Sequence, residues 1–201
     1  MSKYSLDPIA ANCYPGTTVL INKLGIHEDA KLLQAEIAIA QVSAAQWELS
    51  PLCDSFDFEH LKMIHKHLFQ ELYEWAGRVR DVNISKKGTQ FCRYDEIEDL
   101  AERIFTRLRK TNYLRGLTKN RFVPEFVSLY ISTNHLHPFR EGNGRVHRLF
   151  LSQLARRAGY RLDFADIDVD ELMIATIQAA HGVEDELKRI FSLAIDKSSE
   201  T

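Results

Sequence analysis

The sequence predicts an all-α helical bundle with one small β-hairpin set into it. Three observations carry that class: apolar residues recur at helical spacing along most of the chain, one short segment alternates apolar and polar residues instead, and Gly, Pro and Asp stand where helices would start and stop. With 201 residues, 45% of them hydrophobic and 27% charged, the chain has the length and composition of one globular domain. We place that domain over 1–201, with an arm and first helix in 1–55 and a core in 56–196.

The elements follow in order. After the turn-rich arm, residues 28–49 repeat small apolar side chains (Leu32, Ala35, Ile37, Ala40, Val42) with helical period. Leu61, Ile64, Leu68 and Leu72 form the next stripe, which Gly77 is expected to stop. Ile97, Leu100, Ile104 and Leu108 form a third. Pro124 is placed as the opening residue of a fourth helix, carrying Phe126, Val127, Tyr130 and Ile131. Leu149, Phe150 and Leu154 belong to a fifth that ends at Gly159, Asp168 with Glu171 reads as a capping pair for a sixth, and 184–195 supplies the last. Between these helices, 81–94 alternates Val82 and Ile84 with polar neighbours, turns at Lys87-Gly88 and resumes through Phe91. A hairpin fits that pattern, with an irregular loop as the competing reading; a lone hairpin needs the helices for support and would present an open edge. Lys86 and Lys87 at its turn read as solvated charge.

Composition also excludes function classes. A net charge of −2 lacks the Lys and Arg surplus of a dedicated nucleic-acid binder. The three cysteines, Cys13, Cys53 and Cys92, are odd in number and share no CxxC spacing, as reduced thiols in a reducing compartment would be. No apolar signal core opens the chain and no run of about 18 apolar residues occurs, so the sequence is expected to be a cytoplasmic protein without a membrane partner.

Chemistry concentrates in "HPFREGNGRVHR", 137–148. Pro138 disfavours helix at the residue before it, which puts the His137 imidazole on a loop at a helix end, where it can accept a proton from a hydroxyl. Phe139 would anchor that loop in the core. Glu141 offers a carboxylate suited to a hard cation such as Mg²⁺. Gly142, Asn143 and Gly144 open a helix whose bare N–H groups make a concave, partly positive anion site. Arg145 and Arg148 share a face beside it, and their planar forks suit phosphate oxygens. Each feature alone is commonplace: a turn, a left-handed Gly-Asn-Gly, a solvated arginine face. Converging at one helix start, they describe a phosphoryl- or nucleotidyl-transfer site. His147 is read as surface, His135 as a structural histidine at the helix end, and His65 and His67 as unable to share a metal.

The motif resembles the signature of the Fic family, HxFx(D/E)GNGRxxR, at every specified position. "YPGTTVLINKLGI", "LFQELYEWAGRVRDVNI" and "FCRY" are similar to the short stand-alone bacterial Fic proteins, and the similarity continues into "LARRAGYRLDF", so it covers most of the chain. The resemblance implies a Fic-fold bundle with a β-hairpin flap over the active site, and AMP transfer from ATP to a Ser, Thr or Tyr hydroxyl of a target protein. In that scheme His137 is the base and Glu141 holds Mg²⁺ against the α- and β-phosphates. Asn143 with the backbone at Gly142 and Gly144 cradles the phosphates, and Arg145 and Arg148 steady the outer ones. The flap, Val82, Asn83, Ile84, Ser85, Lys86, Lys87, Gly88, Thr89, Gln90 and Phe91, would align the target by strand addition. The adenine pocket is expected near 175–185.

Many Fic proteins carry an inhibitory helix of pattern (S/T)xxxE(G/N), whose Glu pairs with the second motif arginine. Here the only Glu followed by Gly or Asn is Glu141, inside the motif. The resemblance therefore implies a toxin paired with a small separate antitoxin that supplies the Glu helix near Arg148. Some toxins of that branch modify type II topoisomerase subunits, and nothing in this sequence selects that target. Two alternatives stand beside the leading reading. One keeps the fold with a different nucleotide, phosphocholine or phosphate as the transferred group, although the Doc branch carries Lys where this chain has Gly144. The other is a non-catalytic phosphate-binding module.

Overall fold

The computed structural model describes residues 5–6, 12–49, 55–86 and 89–197, and seven α-helices account for most of them. Cys53, Lys87 and Gly88 lie outside the described residues. Helix α1, Asp29–Glu48, buries a narrow stripe of Leu32, Glu36, Ala40 and Ser43 at three- and four-residue spacing and packs on α2, Phe58–Phe69. The Asp57 side chain caps α2 by accepting the His60 N–H at 2.8 Å, and α2 in turn buries Leu61, Ile64, His65, Leu68 and Phe69. Helix α3 spans Ile97–Lys110 and α4 Lys119–Leu136. The motif helix α5, Asn143–Arg157, lies between α2 and α4. Phe150 of α5 sits in the centre, meeting Phe56 and Phe105 edge-on at 5.5 and 5.9 Å. Edge-to-face packing of this kind adds about 0.5–1.5 kcal/mol per pair beyond area burial. Helices α6, Val169–Ala180, and α7, Asp185–Ala194, close the bundle, with Phe191 edge-on to Phe126 of α4 at 5.1 Å.

The helices expected from periodicity are present, with two boundary differences. Helix α4 starts at Lys119, after an extended Thr118, not at Pro124, which sits inside it and withholds an N–H from the Asn120 carbonyl. Helix α2 ends at Phe69, because the N–H groups of Leu72 and Tyr73 both turn back to the Phe69 carbonyl at 2.9 Å; Leu72 is buried beyond the helix. Asp168 caps α6 through the Glu171 N–H at 2.8 Å, as its spacing predicts. A short antiparallel pair, Tyr160–Leu162 with Ile195–Lys197, has too few residues to show alternation in the sequence.

The hairpin is formed by β2, Ile84–Lys86, and β3, Thr89–Gln90, with Ser85 opposite Gln90. One of its edges is covered, since β1, Ser5–Leu6, pairs with the outer side of β2, and β3 keeps an open edge among the described residues. One buried side chain fixes the hairpin to the bundle. Arg80, 4% exposed, donates Nε to the His137 carbonyl at 2.9 Å, Nη1 to the Val82 carbonyl at 2.7 Å, and Nη2 to the Cys92 carbonyl. Its own N–H donates to the Pro138 carbonyl at 2.9 Å. Both ends of the hairpin and the start of the motif loop therefore meet on one guanidinium fork, a geometry that an ammonium group does not supply. Replacing Arg80 with Ala leaves three inward carbonyls without that donor and is expected to cost at least about 3 kcal/mol, with Arg80→Lys recovering only part, as thermal or urea unfolding would show.

Candidate active site

Helix α4 ends at Leu136, and His137 takes a left-handed conformation, φ 40° and ψ 59°, that turns the chain out of the helix. A non-glycine residue pays roughly 1–2 kcal/mol to sit there, so the surroundings must hold it. The Asn134 carbonyl lies 3.1 Å from His137 Nδ1. A carbonyl oxygen can only accept, so the ring carries its proton on Nδ1 and Nε2 is its proton acceptor. His137 is 8% exposed, and burial pushes its pKa down to about 3, aided by the neighbouring His147, Arg80 and Lys86. The imidazole is therefore neutral, the form a general base requires. Phe91 of the flap lies flat on it, with centroids 3.6 Å apart and planes 11° from parallel.

The loop that follows is braced from inside. Phe139 is 1% exposed and stacks on His65 at 3.9 Å. His65 Nδ1 accepts the Gly77 N–H at 2.8 Å, which places the proton on Nε2, and that N–H reaches the Glu141 carbonyl at 3.1 Å. Asn143 uses both ends of its amide on Phe139: Oδ1 accepts the backbone N–H at 2.8 Å and Nδ2 donates to the carbonyl at 2.6 Å. The Asn143 side chain is thus buried and ties the loop to α5.

Gly142, with φ of 80°, begins α5, and a Cβ there would lie 2.4 Å from the Phe69 ring. No side chain fits. Gly144 is different: a Cβ would meet only Arg148 Nη1, at 3.5 Å. The N-cap residue of α5, Gly142, has no side chain to close the first turn, and the first N–H groups of a helix have no partner inside the helix. Glu141 Oε1 accepts the Gly142 N–H at 2.9 Å and lies 3.5 Å from Arg145 Nη2. Among the described residues no group of three or more His, Cys, Asp or Glu could hold a metal. A single carboxylate suits a cation that takes its other ligands from phosphates and water, as Mg²⁺ does.

The two arginines part company. Arg145 Nη2 pairs with Glu36 Oε2 at 2.9 Å, and its guanidinium lies 4.8 Å from the Phe69 ring centroid. Arg148 has no carboxylate partner among the described residues and lines a cavity of about 250 Å³ together with His137, Gly144, Lys86, Thr89 and Phe91. The opposite wall is α6, through Leu172, Met173, Thr176, Ile177 and Ala180. His137, the first turn of α5, Arg148 and the hairpin thus meet around one space. Its α6 wall lies toward the N-terminal side of the 175–185 expected for an adenine pocket.

A profile of the Fic/DOC family matches residues 55–155. The "Probable protein adenylyltransferase Fic" of Salmonella typhimurium is 38% identical over 94% of this chain and 93% of its own length. The chain belongs to the Fic/DOC family. "Protein adenylyltransferase VbhT" of Bartonella schoenbuchensis is 40% identical over 92% of this Fic chain, which spans 38% of VbhT's length. Among solved structures, the BepC protein of Bartonella tribocorum with bound AMPPNP superposes with a TM-score of 0.88 at 29% identity, covering 94% of this chain and 98% of that one. An N-terminal Fic domain of a Bartonella quintana effector with bound ADP gives the same score and identity, covering 94% and 95%.

Several residues of this Fic site carry no sequence signal that motif reading detects. His147, read as surface, is buried, with Nε2 2.7 Å from the Thr133 hydroxyl. Arg80, His65, Glu36 and Phe69 sit on other elements and reach the motif only through the fold. No helix among the described residues is long and apolar enough to cross a membrane.

Three buried imidazoles, His65, His137 and His147, have pKa values pushed down to about 3 by burial. The unfolded chain binds protons at these groups near pH 6.5 and the folded chain does not, so stability present above pH 6.5 is lost as pH falls toward 3. The slope is up to about 1.4 kcal/mol per pH unit for each group. Urea midpoints are expected to drop steadily between pH 7.5 and 5.5; equal midpoints would show that these rings are not held neutral.

Proposed function

We propose that this chain transfers AMP from ATP to a Ser, Thr or Tyr hydroxyl of a target protein. One observation carries the reading: a buried neutral imidazole, His137, with Nε2 as its proton acceptor, borders the same cavity as the open start of α5 and the Arg148 guanidinium. The names of the relatives, protein adenylyltransferase, and the AMPPNP and ADP bound in the Bartonella structures support it.

In this scheme the adenosine end lies along Met173, Thr176 and Ile177 of α6, and the phosphates face the N–H groups of α5 and Arg148. His137 Nε2 takes the hydroxyl proton, the oxygen attacks the α-phosphorus, and the bond to the bridging oxygen of pyrophosphate breaks. Phe91 covers the face of the imidazole, and the Nε2 lone pair lies in the ring plane, so the hydroxyl approaches along the ring edge. A Mg²⁺ ion held by Glu141 would neutralise charge on the α- and β-phosphates. The target backbone is taken to pair with the flap, where β3 offers the open edge.

The same reading makes the chain a toxin silenced in trans by a small antitoxin with a Glu-bearing helix. The Arg148 guanidinium, which has no carboxylate partner among the described residues, supports it, as does a groove of about 410 Å³ in which Ile37, Ala44, Leu68 and Phe164 lie beside Arg145 and Arg148. Expression of the chain alone should then arrest bacterial growth, with relief by His137→Ala; unimpaired growth by cells in which transfer proceeds would remove the toxin role.

Incubation with Mg²⁺ and α-labelled ATP in a bacterial lysate is expected to label a protein, and His137→Ala to lower that labelling by at least about 10²-fold. Label arriving from the γ-position alone would replace AMP transfer with phosphorylation. Labelling indifferent to His137 would exclude this site as its source.

A further inference from the structure

The motif accounts for the base, the helix start and two arginines, but not for a carboxylate that approaches from outside it. Glu36 lies on α1, 3% exposed, in a stripe otherwise made of Leu32, Ala40 and Ser43. A carboxylate this deep is costly to hold without partners. Two of its partners converge from different elements: the Tyr73 hydroxyl donates to Oε1, and Arg145 Nη2 donates to Oε2 at 2.9 Å. Tyr73 is 1% exposed and burial raises its pKa, with the adjacent Glu36 adding to the rise, so it is a fixed O–H donor.

Arg145 has a second carboxylate within reach. The same Nη2 lies 3.5 Å from Glu141 Oε1, the oxygen that accepts the Gly142 N–H. Glu36 and Glu141 thus compete for one guanidinium, and the shorter contact goes to Glu36. The Phe69 ring backs the arrangement, stacked with Arg145 and in contact range of Gly142. Take the Glu36 charge away, and the nearest anion for Arg145 is Glu141, whose carboxylate would be drawn off the helix start.

We propose that Glu36 is a positioning residue for phosphate-chain binding: by holding Arg145 on the α1 side against Phe69, it leaves Glu141 seated on the α5 N-terminus and the anion site in shape. This rests on the nucleotide-transfer reading above. It makes a prediction opposite in sign to simple electrostatics. Neutralising a carboxylate beside an anion site should tighten anion binding by Coulomb's law alone, whereas loss of positioning weakens it.

The test is calorimetric binding of AMPPNP with Mg²⁺ to the full chain, beside steady-state AMP transfer, for wild type, Glu36→Gln, Tyr73→Phe and Leu32→Ala. Glu36→Gln is expected to weaken AMPPNP binding about tenfold and to raise the KM for ATP more than it lowers kcat. Tyr73→Phe, which keeps the charge but loosens its seat, should move both quantities in the same direction by less. Leu32→Ala, a packing loss on the same buried stripe, should lower the melting temperature without changing AMPPNP affinity. If Glu36→Gln fails to fold, Tyr73→Phe carries the test alone. Unchanged or tighter binding by the Glu36→Gln protein, or affinity losses that merely follow melting temperature through Leu32→Ala, would overturn the role of Glu36. A wild-type chain that neither binds AMPPNP nor transfers AMP would overturn the functional reading and this inference together.

Discussion

The site depends on burying an irregular loop. Between α4 and α5 the chain must turn through left-handed backbone at both ends, His137 with φ of 40° and Gly142 with φ of 80°, while several of its residues are shut away from water. Backbone groups in such a place need internal partners. They come from three directions: Arg80 takes the His137 carbonyl, His65 takes the Glu141 carbonyl, and the Asn143 amide closes on Phe139. The rest of the bundle can be understood as what puts those donors there. Helix α2 brings His65 and Phe69, the irregular segment entering the flap brings Arg80, and α5 brings Asn143.

That arrangement divides the motif's labour differently from its appearance as a string. Phe139 and Asn143 are internal braces, and Gly142 is required because the Phe69 ring occupies the space of a side chain. What remains facing the cavity is a shorter set, His137, Gly144 and Arg148. Arg145 and Arg148 share a helix face by spacing, yet one is gripped by Glu36 and the other is not. Identical side chains three residues apart thus do different work because only one has a buried acid within reach.

The helices were legible because each buries a stripe whose period survives in the sequence, and Asp168 with Glu171 marked a start through local hydrogen bonding alone. The motif was legible because its chemistry is contiguous. Partners brought in by tertiary contact were not. Glu36 lies more than a hundred residues before Arg145, and His65 lies far from Glu141 in the chain, so no window joins them. His147 failed for another reason: a polar residue between two arginines suggests solvent, but the helix face that carries it turns toward Thr133 and Tyr130. The β1–β2 pairing joins two-residue stretches remote in sequence, too short for any periodicity.

The Asn143 brace has a chemical consequence as well as a mechanical one. Asn followed by Gly is the dipeptide most prone to spontaneous deamidation, in which the backbone nitrogen of the glycine attacks the side-chain amide and expels ammonia. Reaction requires the amide to swing back over its own following peptide bond. Here both of its ends are held by Phe139, and the glycine nitrogen belongs to the first turn of a helix. The folded chain therefore shields its own turn from ageing, and each excursion to the unfolded state exposes it. An Asp formed there would lose the Nδ2 donor to the Phe139 carbonyl and bring a negative charge to the first turn of α5, so the lifetime of this arrangement is tied to how seldom the loop opens.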